Sequence, residues 1–141
     1  MTKTELKTFF NSWKKVKEIY RKYHPKNRMH FPEPLQKEII KSFYDKSLKI
    51  DNSGSYDFVG NVELKSSTTV NGCTPFSPNQ HNCSRILYME ITDHIRVYEI
   101  ATNDVQTING MVSAAAQNSK NKSNIRLGKY KKNATNAVVV I

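Results

Sequence analysis

Residues 56–67 read Tyr-Asp-Phe-Val-Gly-Asn-Val-Glu-Leu-Lys-Ser-Ser and combine a strand-like run with closely spaced charged side chains. Side chains in a β-strand alternate between its two faces. If Val62 and Leu64 lie in a hydrophobic core, Glu63 and Lys65 therefore lie together on the opposite face. The stretch predicts a strand that presents a carboxylate and an ammonium side by side.

A turn before this strand is predicted to bring a second carboxylate to the same place. Gly60 and Asn61 suit a tight turn, which would fold the short run carrying Asp57 back beside the run carrying Glu63. Two carboxylates and an ammonium are the groups that a Mg²⁺-dependent phosphodiesterase needs. The alternative is a solvated strand face, on which Glu-x-Lys is common.

The composition describes a folded, basic protein. The chain has 141 residues, 38% of them hydrophobic, and a formal net charge of +10. This length predicts a single domain spanning residues 1–141, and the charge predicts a polyanionic partner. No apolar run is long enough for a membrane span, and the N-terminal residues lack the apolar region of a secretory signal. We therefore expect a cytoplasmic, prokaryotic-type intracellular protein with no membrane partner.

The charge is unevenly distributed along the chain. Residues 1–49 carry +8, residues 50–119 carry −4, and residues 120–141 carry +6. We interpret these as a basic helical arm, a catalytic core and a basic C-terminal segment of one nuclease domain. A generic nucleic-acid-binding protein has no reason to concentrate acidic residues in its centre, whereas a metal-dependent nuclease does.

Apolar periodicity and turn signals predict the secondary structure. A capping box, Thr2-x-x-Glu5, begins a first helix that ends before Pro25. Residues 68–84 and 120–133 are predicted to be loops. The other predicted elements are a helix over residues 33–48, strands over 85–91 and 94–100, a helix over 103–119 and a short strand over 137–141. This order predicts an α+β fold with a central mixed β-sheet flanked by helices. No Gly-rich phosphate loop supports a doubly wound nucleotide-binding fold. We expect no small-molecule cofactor.

Two of the predicted helices have a clear apolar side. The basic side of the first helix suits either phosphate contact or simple solvation. Its predicted apolar stripe is Leu6, Phe9, Trp13, Val16, Tyr20 and Tyr23. The predicted buried side of the last helix is Val105, Ile108, Met111, Val112 and Ala115.

Asp57, the Glu63-Leu64-Lys65 run, the antiparallel strand pair and the following helix resemble the PD-(D/E)xK nuclease superfamily. Within it, the chain resembles small type II restriction endonucleases. The short spacing from Asp57 to Glu63 is similar to that of the methyl-directed mismatch-repair endonuclease group. Residues 72–80 and 85–91 look like segments of restriction enzymes that cut short interrupted GC palindromes. One departure is Tyr56, where the motif has proline.

The resemblance implies a restriction-endonuclease-like core and a type II site-specific deoxyribonuclease that hydrolyses double-stranded DNA. Because one copy of the site cuts one strand and the two strands of a palindrome are related by a two-fold axis, we expect a homodimer. Asp57, Glu63 and the Leu64 carbonyl would hold Mg²⁺, with Mn²⁺ as a substitute. Lys65 would orient or help to deprotonate the attacking water and offset transition-state charge. The expected products carry a 5′-phosphate and a 3′-hydroxyl. In some relatives a carboxylate on a helix adds an outer-shell contact to the metal site. Glu38 is the candidate for this role, and the alternative is an ordinary surface glutamate.

Several polar side chains are candidates for base or phosphate contact, although a solvated loop or a frayed arm explains them equally well. The candidate DNA-binding residues are Ser67, Asn79, Gln80, His81, Arg85, Lys129 and Lys131.

Three alternatives stay open. Cys73, His81 and Cys83 are conceivable zinc ligands, although their spacing fits no standard motif. The second alternative is a structure-specific nuclease, such as a Holliday-junction resolvase or repair nuclease. The third is a non-catalytic nucleic-acid-binding module.

Overall fold

The computed structural model describes residues 1–119 and 121–141, which divide into two compact units. The first unit comprises residues 1–46 together with Ile141, and the second comprises residues 47–140. The first boundary lies three residues before the predicted junction between the basic arm and the core. The C-terminal basic segment belongs with the core in the second unit.

The first unit contains two helices, α1 (Lys3–Tyr23) and α2 (Glu33–Phe43). The predicted capping box is confirmed, because Glu5 N–H donates to Thr2 Oγ1 at 3.2 Å and Thr2 N–H donates to Glu5 Oε2 at 2.7 Å. The second helix ends at Phe43 rather than at residue 48 as predicted. The Tyr44 and Asp45 N–H groups both donate to the Ile40 carbonyl, which closes the helix. The residues that follow include Asp and Ser, which are poor helix formers.

Of the six side chains in the predicted apolar stripe of α1, two are buried, Leu6 and Trp13. Leu6, Phe10 and Trp13 are buried, and the Phe31 ring packs edge-on against Trp13 at a centroid distance of 5.1 Å. Phe31 packs against the first half of the helix, so the buried side chains of α1 end near Trp13. Beyond it, Val16 and Tyr23 are 50% and 69% exposed. Phe9, also predicted to be buried, is 40% exposed, and Phe10 takes its place.

The second unit is built on a mixed sheet, as predicted. Four strands lie in the order β1-β3-β4-β6, with β1 parallel to β3 and the other two pairs antiparallel. β2 and β5 form a separate antiparallel pair. The strands are β1 (Val62–Ser67), β2 (Thr74–Phe76), β3 (Arg85–Ile91), β4 (Ile95–Glu99), β5 (Ser123–Ile125) and β6 (Asn136–Val139).

The helix α3 (Thr102–Ser119) covers one face of this sheet, which confirms the α+β class for this unit. Its buried side chains Val105, Ile108 and Val112 belong to one apolar cluster with Ile86 of β3 and other side chains of that face. Met111, predicted to be buried, is 42% exposed. Successive helical residues are rotated by about 100°, which turns the side chain of Met111 away from that of its buried neighbour Val112.

Residues 68–84 and 121–133 are more ordered than the predicted loops, and residue 120 of the second predicted loop lies outside the described residues. Besides the β2–β5 pair, they contain a 3₁₀ helix, Leu127–Asn133. A Cβ atom on Gly128 would lie 2.3 Å from the Asn71 Cα atom, so only glycine permits this close approach of the two segments. The paired strands are three residues long and about fifty residues apart, which leaves no local pattern to predict them. In the part of the chain that the structure describes, no helix has the length and apolar character needed to cross a membrane.

Candidate active site

The predicted turn before β1 is present. Phe58 pairs with Val62 in an antiparallel bridge, and the residues between them include Gly60 and Asn61 at φ +88° and +60°. Positive φ values suit glycine and asparagine, which explains why these two residues can close so tight a turn. The short run that carries Asp57 pairs through isolated bridges of Phe58 with Ile50 and with Val62, and it does not form a continuous strand.

The turn places the Asp57 carboxylate beside β1. Asp57 Oδ2 accepts a hydrogen bond from the Leu64 N–H at 2.9 Å. The N–H and C=O of one strand residue point to the same side of the strand. The Leu64 carbonyl therefore faces the same sheet edge as Asp57, since β1 has β3 as its neighbour on the other side.

Glu63 and Lys65 lie on one strand face, as the alternation predicts, and form an ion pair. Lys65 Nζ lies 2.8 Å from Glu63 Oε1. Glu63 is only 2% exposed, and the side chain of Lys65 is 14% exposed. Val62 and Leu64 are buried, also as predicted. The alternative of a solvated strand face is wrong, because both charged groups are shielded from water.

The environment of Glu63 disfavours its charged form. Burial raises the pKa of Glu63 to about 7, Lys65 opposes that rise, and the neighbouring Asp57 carboxyl adds to it. A carboxyl group whose pKa is raised by burial, next to other charged groups, is typical of functional sites.

Gln80 completes this cluster from the loop before β3. Its Nε2 donates to Glu63 Oε1 at 3.0 Å, and its Oε1 accepts from Lys65 Nζ at 3.2 Å. The sequence singled out Gln80 only as a DNA-contact candidate. Because Gln80 lies 17 positions after Glu63 in the sequence, no local signal pointed to this position.

The loop that carries Gln80 is firmly attached to the segment preceding Asp57. The Tyr56 hydroxyl accepts from the Asn82 N–H at 3.0 Å and lies 3.3 Å from the Asn79 carbonyl, to which it donates. The Phe76 ring of β2 lies 4.7 Å from Lys65 Nζ and holds the ammonium by a cation–π contact. The loop therefore covers the cluster on the face of the sheet that packs against α3.

The donor groups fit a hard cation such as Mg²⁺. Asp57, Glu63 and the Leu64 carbonyl supply oxygen ligands, and Glu63 Oε2 is buried without a hydrogen-bond donor among the described residues. These residues contain no group of three or more His, Cys, Asp and Glu side chains placed to hold a metal. Mg²⁺ usually binds through one or two carboxylates and takes its remaining ligands from water and substrate, so two carboxylates suffice.

The zinc alternative has no support in the described part of the chain, where no His/Cys/Asp/Glu cluster of three occurs. Cys73 is exposed, whereas Cys83 is buried. Burial raises the pKa of the Cys83 thiol to about 12, which disfavours the thiolate that zinc binds.

The loop residues predicted to contact DNA lie in different environments. Ser67 Oγ donates to the Thr69 carbonyl at 2.9 Å and so closes the turn after β1. Asn79 Nδ2 donates to Ser55 Oγ at 2.8 Å. Both Asn79 and His81 are exposed. Their exposure leaves the prediction of DNA contact open.

Three other predicted contacts involve basic residues. Arg85 makes a bidentate pair with Glu99, with Nη2–Oε1 and Nε–Oε2 distances of 2.7 and 3.2 Å. Lys131 Nζ lies 2.7 Å from Oε2 of the buried Glu90. Lys129 is exposed. Among the three, Lys129 is the most accessible to a phosphate.

Glu38, the predicted outer-shell residue, belongs to the first unit. It is half-buried on α2, and its Oε1 accepts a hydrogen bond from Ser42 Oγ at 2.9 Å. This hydrogen bond spans one helical turn, so the Glu38 carboxylate has a partner within its own helix.

No family model, curated protein or solved structure matches the chain. The functional argument therefore depends on the geometry of the site.

Proposed function

We propose that the chain is a Mg²⁺-dependent endonuclease of the PD-(D/E)xK type that hydrolyses phosphodiester bonds in double-stranded DNA at specific sites, as type II restriction enzymes do. The observation that carries this proposal is the meeting of Asp57, Glu63 and Lys65 at one sheet edge. The carboxylates supply oxygen ligands, and the ammonium supplies positive charge. The net charge of +10 is that of a protein with a polyanionic substrate.

Each group has a distinct part in the proposed reaction. Asp57, Glu63 and the Leu64 carbonyl would hold the cation, and a cation bound there would supply Lewis acidity toward the scissile phosphate and the attacking water. Lys65 orients that water and offsets the negative charge that develops on the phosphate. Its ammonium is already fixed by Glu63, Gln80 and the Phe76 ring, so little reorganisation is needed when substrate binds.

A single assay distinguishes this function from the two alternatives, a structure-specific nuclease and a non-catalytic nucleic-acid-binding module. Supercoiled plasmid and a synthetic four-way junction are incubated with the protein and Mg²⁺. Discrete plasmid bands support site-specific cleavage, and cutting of the junction alone supports a structure-specific nuclease. If neither substrate is cut while duplex DNA is still bound, the chain is a non-catalytic binding module and the proposal is wrong.

The identity of the cation provides a first prediction. Mg²⁺ and Mn²⁺ should support cleavage, because both accept oxygen ligands in near-octahedral geometry. Ca²⁺ should support DNA binding without cleavage, because it takes more oxygen ligands at longer distances and in a less regular geometry than Mg²⁺. Cleavage is measured on plasmid and binding by mobility shift, each with one cation at a time. Efficient cutting in excess chelator would contradict a metal-dependent mechanism.

The oligomeric state provides a second prediction. One copy of the site cuts one strand per docking event, whereas the two strands of a palindrome are related by a two-fold axis that a C₂ dimer matches. Two copies should therefore bind each duplex. On α3, Gly110 and Ala114 are exposed and would allow a partner helix or the DNA to approach closely.

Sedimentation with and without a cognate oligonucleotide in Ca²⁺ tests this stoichiometry, and a salt series provides its control. Affinity should fall steeply with salt, because each neutralised phosphate releases condensed counterions. The dimer is excluded if one subunit binds each duplex and both strands are still cut in a single encounter.

A further inference from the structure

We infer that Gln80 is a positioning residue that sets the geometry of Glu63 and Lys65, and that it does not read a DNA base. This inference rests on the proposed function and assigns to Gln80 a role within the same site. It follows from the number, direction and chemistry of the hydrogen bonds that its side-chain amide makes.

The amide of Gln80 uses its full hydrogen-bonding capacity inside the protein. Nε2 donates to Glu63 Oε1 at 3.0 Å and to the Ser55 carbonyl at 2.9 Å. Oε1 accepts from Lys65 Nζ at 3.2 Å and from the Ser77 N–H at 2.8 Å. An amide has two donors and two acceptor lone pairs, so these four bonds leave none for a base edge.

The polarity of the amide matches that of the ion pair. Its positive end faces the carboxylate of Glu63, and its negative end faces the ammonium of Lys65. Both contacts with Glu63, from Gln80 and from Lys65, go to Oε1. Oε2, which has no donor in the described part of the chain, is thereby kept for a cation.

The amide itself is fixed by the protein backbone. Two of its four partners, the Ser55 carbonyl and the Ser77 N–H, are main-chain groups. The chain around it is held on both sides, because Tyr56 bonds to Asn82, and Asn109 Nδ2 donates to the Cys83 carbonyl at 2.9 Å. A rigidly held amide can orient the two reacting side chains, as residues behind metal ligands do in other sites.

The test compares Gln80→Met with wild type and with Ser84→Ala. Methionine keeps the length of glutamine and loses all four hydrogen bonds. Ser84→Ala removes the hydroxyl's bonds from the same loop to the Gly60 and Asn61 carbonyls. It keeps the Ser84 N–H bond to the Asn61 carbonyl and all four Gln80 bonds, so it controls for general loosening of the loop. For each protein, kcat and the KM for a cognate duplex are measured in Mg²⁺, and Mn²⁺ binding is measured without DNA by electron paramagnetic resonance.

For Gln80→Met we expect kcat to fall about 100-fold, since a displacement of about 1 Å costs this much, with KM unchanged. Mn²⁺ affinity should fall about tenfold, as it does when the residues behind metal ligands are lost. Ser84→Ala should resemble wild type in all three quantities. Gln80→Glu is a second variant in case methionine unfolds the loop. It keeps the acceptor for Lys65 but turns a carboxylate oxygen toward Glu63, so it should also lose kcat.

A rise in KM with unchanged kcat would overturn the inference in favour of DNA contact by Gln80. A rise in kcat or in Mn²⁺ affinity would overturn it too, because Gln80 would then hinder catalysis or cation binding instead of supporting it. If wild type does not cut DNA, the proposed nuclease function fails, and the Mn²⁺ comparison alone decides whether Gln80 positions Glu63. Absence of both cleavage and Mn²⁺ binding in wild type overturns both proposals.

Discussion

Glu63→Gln should lower DNA cleavage by about a thousandfold or more and, at pH 8 without metal, should make the protein more stable. The activity falls because a neutral amide is a poor ligand for the cation, and losing such a group costs several kcal/mol of transition-state stabilisation. The stability rises because the buried carboxylate is unfavourable in its charged form. Glutamine keeps an oxygen that can accept from Lys65 while removing that charge.

The pH dependence has a definite sign. Folding raises the pKa of Glu63 from 4.5 to about 7, so in this range the folded state binds more protons than the unfolded state. Stability therefore falls as pH rises from about 4.5 to 7, and the full loss, on the order of 3 kcal/mol, is present above pH 7. The advantage of Glu63→Gln should be largest at pH 8 and disappear near pH 4.

The measurements are plasmid cleavage in Mg²⁺ and thermal unfolding in chelator across this pH range. A mutation that simply disrupts the fold lowers activity and the thermal midpoint together. Such a parallel loss in Glu63→Gln would contradict the assignment of Glu63 as a buried metal ligand.

Lys65→Ala should also lower cleavage by about a thousandfold, but it should have the opposite effect on stability. The ammonium is the ion-pair partner of Glu63 at 2.8 Å, and its removal leaves a buried carboxylate without that charge. Breaking a buried pair in this way costs about 3 kcal/mol. The alternation of the strand does not show this stability penalty, because it arises from the burial of the pair.

The double variant Glu63→Gln, Lys65→Ala separates stability from catalysis. Removing both charges should restore much of the thermal midpoint lost in Lys65→Ala, because the buried carboxylate is no longer present. Cleavage should remain absent. Lys46→Ala, at an exposed lysine outside both the cluster and the candidate DNA contacts, provides the matched control for loss of one positive charge. Near-wild-type cleavage by Lys65→Ala would show that the site is assigned wrongly.

Much of this site was predictable because its central features are local. Glu63 and Lys65 share a face because strand side chains alternate with a period of two, whatever the strand pairs with. Gly60 and Asn61 adopt positive φ because few other residues do so at low cost, and this turn brings Asp57 back to Leu64. A contact within ten residues of sequence can be deduced from backbone geometry alone.

Only the tertiary structure decided which distant groups join this local pattern. The parallel pairing of β1 with β3 and the arrival of Gln80 depend on how residues 68–84 cross the sheet, which no periodicity encodes. The pairing of Lys131 with the buried Glu90 likewise joins positions 41 residues apart. The pKa of Glu63 depends on the same long-range packing, because burial is its largest cause. The amino-acid sequence by itself determined the two carboxylates and the lysine at one edge, and the packing of distant segments determined their burial and orientation.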